Sequence, residues 1–190
     1  MKLTELVTVA IGLQQLFGCV QAALQSIDIA TCDDLQTAVA LTASSGSTEG
    51  VLVDGGVKCD EWTTFEVKND KLKLVGPEDT DDDFMFEFEN VRFLVSSGIL
   101  RVDVPVSFTA GAANGRQEVN GGVLNVAEGA YARFLAEAQF TDVTIMSVPD
   151  EGSDVTSDVW YGGCIYNEGE LRFEDFFRAT NCATVGGGES

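Results

Sequence analysis

At 190 residues, 45% of them hydrophobic, the chain is long enough to bury the core of one domain. Thirty-one acidic residues against eleven basic ones leave a net charge of −20. That balance excludes nucleic acid as a partner, because such a surface needs Lys and Arg to displace counterions.

The chain opens with MKLTELVTVAIGLQQLFGCVQA. One lysine, an apolar stretch from Leu6 to Phe17, and Val20 and Ala22 at the −3 and −1 positions have the layout of a secretory signal. Gln14 and Gln15 interrupt the stretch, which is too short to span a bilayer. Residues 1–22 are therefore read as a signal peptide cleaved after Ala22, leaving no transmembrane segment. The alternative is a lipoprotein-like LFGC signal with Cys19 acylated.

Either processing leaves Cys32, Cys59, Cys164 and Cys182. In an oxidising compartment an even number suggests two disulfides, and four cysteines allow three connectivities. Local pairing is favoured, Cys32 with Cys59 and Cys164 with Cys182. With no histidine in the chain, a zinc site would need all four thiolates.

Residues 23–49 are expected to form an N-terminal cap that includes a helix over 32–43. Thr31 followed by Asp34 makes a capping box, Asp33 and Asp34 suit the helix dipole, and Leu35, Ala38, Val39 and Thr42 share one face. Beyond Gly50 the chain reads as short strands rich in β-branched and aromatic residues, bounded by Gly, Asn, Asp or Pro. Alternation is plain in Phe84, Phe86 and Phe88, and again in Val91, Phe93 and Val95. No second helical period follows, so crossover helices are not expected.

Internal similarity adds to this reading. GGVLNVAEGAYARFLAEAQFTDV from Gly121 and GGCIYNEGELRFEDFFRATNC from Gly162 share a Gly-Gly opening, a Glu-Gly step and an aromatic strand. The second segment resembles the Gly-Gly-Ala-Ile-Tyr-Asn repeat of polymorphic outer-membrane-protein sequences, with Cys164 in place of alanine. The region from about Asp28 onward resembles the pectin-lyase-like superfamily. That resemblance implies an all-β fold, a right-handed parallel β-helix (solenoid) with an N-terminal capping α-helix. Residues 50–190 would be its coils, truncated at the C-terminus after Gly186 to Gly188 open a further one. In the last coil, Leu171, Phe173 and Phe176 or Phe177 would face the core.

Relatives of this kind that cleave acidic polysaccharides use calcium, aspartates and a basic residue. PEDTDDDF supplies Asp81, Asp82 and Asp83 as calcium candidates, although the ligand spacing of a calcium loop is absent and a solvated turn is favoured. Asp150, Glu151, Asp154 and Asp158 form a second acidic group, read the same way. Arg92, Arg101, Arg133 and Arg172 fall inside predicted strands, either as a basic stripe facing an anionic sugar or paired across strands with carboxylates. Phe108, Tyr131, Trp160, Tyr161 and Tyr166 could offer a stacking platform, against the simpler assignment to core. No catalytic or cofactor-binding residue is assigned, and no Asn-x-Ser/Thr sequon is present. The expectation is a secreted, non-catalytic extracellular or cell-surface module, structural or adhesive, with polysaccharide or cell-wall components as partners and end-to-end self-association open. The alternatives are a lyase or epimerase acting through Asp81 to Asp83 with a nearby arginine, and an inactive fragment of a longer repeat protein.

Overall fold

Thr31 starts the helix as its pattern requires. In the computed structural model, which describes residues 25–81, 84–109, 122–146 and 163–185, the Thr31 hydroxyl accepts from the Asp34 amide at 3.2 Å. The Asp34 carboxylate accepts from the Thr31 amide at 3.0 Å. This reciprocal cap satisfies two amide donors at the helix start. Helix α1 runs Cys32–Ser45 and stops at Gly46, whose φ of 100° suits glycine. Leu35, Ala38, Val39 and Thr42 are buried, and the Thr42 hydroxyl donates back to the Ala38 carbonyl at 2.9 Å.

The helix is also a crossover. It joins β1 (Gln25–Ile29) to β2 (Thr48–Leu52), and these strands pair in parallel with Ile27 beside Gly50 and Ile29 beside Leu52. Two parallel neighbours need a connection of a dozen or more residues, which α1 supplies. The all-β, right-handed parallel β-helix expectation is corrected accordingly. Among the described residues the architecture is mixed α/β, two large parallel sheets in a half-barrel with a two-stranded parallel sheet and one helix. The expectation failed because QSIDI, with only Ile27 and Ile29 to mark it, did not stand out as a strand.

After β2 come β3 (Gly56–Val67), β4 (Lys71–Val75), β5 (Phe86–Val95), β6 (Ile99–Val102) and β7 (Val106–Thr109). Next are β8 (Leu124–Val126), β9 (Tyr131–Phe134), β10 (Ala138–Thr141) and β11 (Thr144–Met146). The last are β12 (Ile165–Asn167), β13 (Glu170–Phe173), β14 (Phe177–Thr180) and β15 (Ala183–Val185). Sheet A has the order β1-β2-β4-β6-β9-β13. Sheet B runs β12-β8-β5-β7-β10-β14, with β3 also paired to β5, and β11 pairs β15 separately. Strand β5 serves two neighbours because Asn90, at φ 59°, turns it. Residues before the turn pair with β7, and residues after it pair with β8. Asp142 and Asn181 take the same left-handed conformation, and the Asn181 amide donates to the Asp142 carboxylate at 2.7 Å.

In-register pairing aligns like side chains into rows. Phe88, Phe108 and Phe140 stand side by side, their rings stacked at 4.9 and 5.0 Å. Phe65, Phe93, Leu124 and Ile165 form a second row, and Leu74, Val102, Phe134 and Phe173 a third. Most of these side chains are fully buried and share one core with Leu35, Ala38 and Val39 of α1. At Gly56 the chain passes so close to β5 that a Cβ would lie 2.1 Å from the Glu87 carbonyl oxygen.

Two disulfides are present. Cys32–Cys59 ties the first turn of α1 to β3, and Cys164–Cys182 ties the entry of β12 to the segment between β14 and β15. Strands β12, β13, β14 and β15 lie on β8, β9, β10 and β11 respectively. Leu171 and Phe173 are half-buried, while Phe176 and Phe177 remain 50% and 40% exposed. Phe177 stands in register with buried Ala138 but lacks a cover among the described residues.

Phe108 occupies the middle of the stacked row, so Phe108→Ala should lower the unfolding free energy in urea by about 3–5 kcal/mol. Phe177→Ala should cost well under half as much, and equal losses would contradict this placement of the core.

Candidate functional site

Alternation in sheet A sends every second side chain outward, and the register then fixes which of them meet. Glu49, Lys73, Arg101, Arg133 and Arg172 fall on one row across β2, β4, β6, β9 and β13. Four successive cations therefore stand roughly 4.8 Å apart along the sheet, the spacing of neighbouring strands. In a chain of net charge −20 this is the main concentration of positive side chains among the described residues.

Like charges side by side would oppose the pairing of the strands. Carboxylates offset them. Lys73 Nζ lies 2.7 Å from Glu49 and 3.7 Å from Asp103. Arg101 grips Asp103 with two bonds, Nε to Oδ1 at 2.6 Å and Nη2 to Oδ2 at 2.8 Å. Arg133 binds Glu174 Oε1 through Nε at 2.8 Å and Nη2 at 2.6 Å. Arg172 pairs with Glu170 at 2.5 Å, and its guanidinium carbon lies 6.0 Å from the centre of the Tyr131 ring. Asp103 thus links β4 to β6, and Glu174 reaches back from the end of β13 to β9.

These pairs set the protonation chemistry of the face. The hydrogen bonds it donates to Asp103 hold the Arg101 guanidinium above its ordinary range, and the bond to Glu174 does the same for Arg133. The Arg133 bond in turn holds the Glu174 carboxyl below its usual value. Removing a proton from a sugar carbon calls for a base tuned toward neutrality, and these shifts run the other way. The row can attract and orient anions.

Arg92 does not belong to this row. It sits on β5 beside Thr64 in sheet B and is only 1% exposed, and burial pushes its guanidinium down to about 10. It still carries a charge at neutral pH. Lys73 was missed in the sequence, although Lys71-Leu72-Lys73-Leu74 alternates clearly enough to put Lys73 outward. What no local pattern contains is the register that aligns it with three arginines. Arg178 stands over the ring of Phe176 at 5.4 Å.

Of the stacking candidates, Phe108 is core, Tyr131 is half-buried beside the row, and the Tyr166 hydroxyl donates to Glu168 at 2.7 Å. Trp160 and Tyr161 lie outside the described residues, as do Asp82, Asp83 and the acidic group from Asp150 to Asp158. Asp81 is exposed, and its carbonyl accepts from the Phe84 amide at 2.9 Å. Among the described residues no three His, Cys, Asp or Glu side chains are grouped to hold a metal ion. No described helix is long and apolar enough to cross a membrane. Comparison with protein families, curated proteins and solved structures returned no match.

The Arg133–Glu174 pair carries a pH signature. The Glu174 carboxyl titrates below its ordinary 4.5 in the folded chain and returns to that value on unfolding. The pair therefore stabilises the fold fully above the ordinary carboxylate range and loses its effect as pH falls through the lowered folded value. Thermal melts of the native chain and Glu174→Gln should differ at neutral pH and converge in acid. A gap that persists unchanged down to about pH 2 would rule out this linkage.

Proposed function

We propose that the chain is a non-catalytic extracellular scaffold whose sheet A face docks on an acidic polysaccharide. The single observation behind this reading is the Lys73-Arg101-Arg133-Arg172 row, a line of cations paired with carboxylates on a parallel sheet. The bonds of Arg101 and Arg133 to Asp103 and Glu174 use their Nε and Nη2 atoms. A guanidinium has five donor hydrogens, so the Nη1 side is left for ligand oxygens. A polymer with regularly spaced carboxylates matches a regular line of such donors, and Tyr131 beside Arg172 offers a ring for a sugar face.

Secretion belongs to the same reading. Two disulfides suit an oxidising compartment, and the Met1 to Ala22 segment has the composition of a signal peptide. The raised values of Arg101 and Arg133 and the lowered one of Glu174 favour binding over a lyase or epimerase reaction.

Titrating the chain with polygalacturonate and with alginate tests the proposal. Binding should appear at low salt, fall steeply as salt rises, and weaken about tenfold or more in the combined Arg101→Gln, Arg133→Gln and Arg172→Gln variant, given about 0.5 kcal/mol or more per lost contact. Absorbance of unsaturated sugar product should stay flat. Product formation would overturn the non-catalytic reading, and binding untouched by the triple variant would overturn the assignment to this face.

A further inference from the structure

Strand β13 is the last strand of sheet A, and its outer edge presents unpaired backbone donors and acceptors among the described residues. Next to it, at the end of sheet B, β14 and the residue before it carry exposed apolar side chains, the Phe177 ring lying 4.3 Å from that of Phe173 on β13. Phe177 is 40% exposed and Phe176 50%, whereas Phe134, Ala138 and Phe140, one strand further in, are at 1%, 0% and 0%. Edge strands of this kind are ordinarily blunted or covered, because they template pairing with another chain.

The geometry points to a second copy of this chain as the cover, added antiparallel to β13 about a two-fold axis through Leu171. Register and charge select this arrangement. A slide by one residue would put Leu171 and Phe173 on the outer face of the joined sheet. Among the registers that keep them inward, centring on Glu170 sets two glutamates against each other, centring on Arg172 sets two arginines against each other, and centring on Phe173 sets Leu171 against the partner's Asp175. Centring on Leu171 alone places Glu170 opposite the partner's Arg172, and Arg172 opposite the partner's Glu170. Within one copy these two residues already touch, and both are more than half exposed, so they form a four-membered ionic network without new desolvation of an isolated charge.

Head-to-tail stacking is disfavoured on the same grounds. The opposite edge of sheet A is β1, where row positions are occupied by Ser26 and Asp28. Adding β13 to it in parallel would leave Arg172 beside Ser26 and drive Glu174 against Asp28. The complementary edge therefore closes on itself as a dimer instead of propagating as a filament. The charge of −20 on each copy opposes approach at long range, so association should be firmer at physiological ionic strength than at very low salt.

Sedimentation velocity on the whole purified chain decides it. The native protein should sediment as a concentration-dependent dimer. Arg172→Glu should weaken association about tenfold or more by setting four carboxylates together. The swap Glu170→Arg with Arg172→Glu should restore the native affinity, since the antiparallel pairs are regenerated with their signs exchanged. Circular dichroism on each variant establishes that it is folded. A native chain that stays monomeric to its solubility limit, one that forms an open series of larger species, or a double swap that remains monomeric would each overturn the proposal.

Discussion

Parallel strands held in register act on this molecule as a copying constraint: whatever stands on one strand is placed beside its counterpart on the next. Inside, the constraint rewards similarity, since a phenylalanine beside a phenylalanine stacks at about van der Waals distance and fills the same layer of the core. Outside, it penalises similarity when the side chains are charged. The line of Lys73, Arg101, Arg133 and Arg172 exists because β4, β6, β9 and β13 share one register. It is tolerated because Glu49, Asp103, Glu170 and Glu174 stand within reach.

The helix and the disulfides serve the same constraint at its margins. A parallel ladder must begin somewhere, and α1 lets β1 and β2 pair while its apolar face covers the neighbouring core. Cys32–Cys59 fixes that helix to β3, and Cys164–Cys182 fixes the last strands to one another where burial is thinnest. Left-handed Asn90, Asp142 and Asn181 mark places where the chain changes direction within or between paired strands. Asn and Asp are the side chains that accept that conformation with least strain.

Much of this was legible in residues. The helix start was readable because a capping box is local, and most strands were readable because alternation is local. The two Gly-Gly segments were legible as copies, and the structure pairs them directly. The Gly122 amide donates to the Gly163 carbonyl at 3.0 Å, Leu124 meets Ile165, and Phe134 meets Phe173. The class of fold was not legible, because a cap box tells where a helix begins and not which strands it connects. The candidate site was half legible. Arg101, Arg133 and Arg172 were visible as strand residues, but Arg92 looked equivalent to them and is buried in the other sheet. Lys73 joins the row only through pairings between residues far apart in the chain, and their alignment depends on the lengths of intervening loops.

The central claim is that these four cations lie on consecutive strands of one sheet. Nitroxide labels on Lys73→Cys and Arg172→Cys, three strand spacings apart, measure it directly through their dipolar coupling. Backbones about 14 Å apart should give strong broadening. Spectra identical to the sum of the singly labelled chains would contradict it.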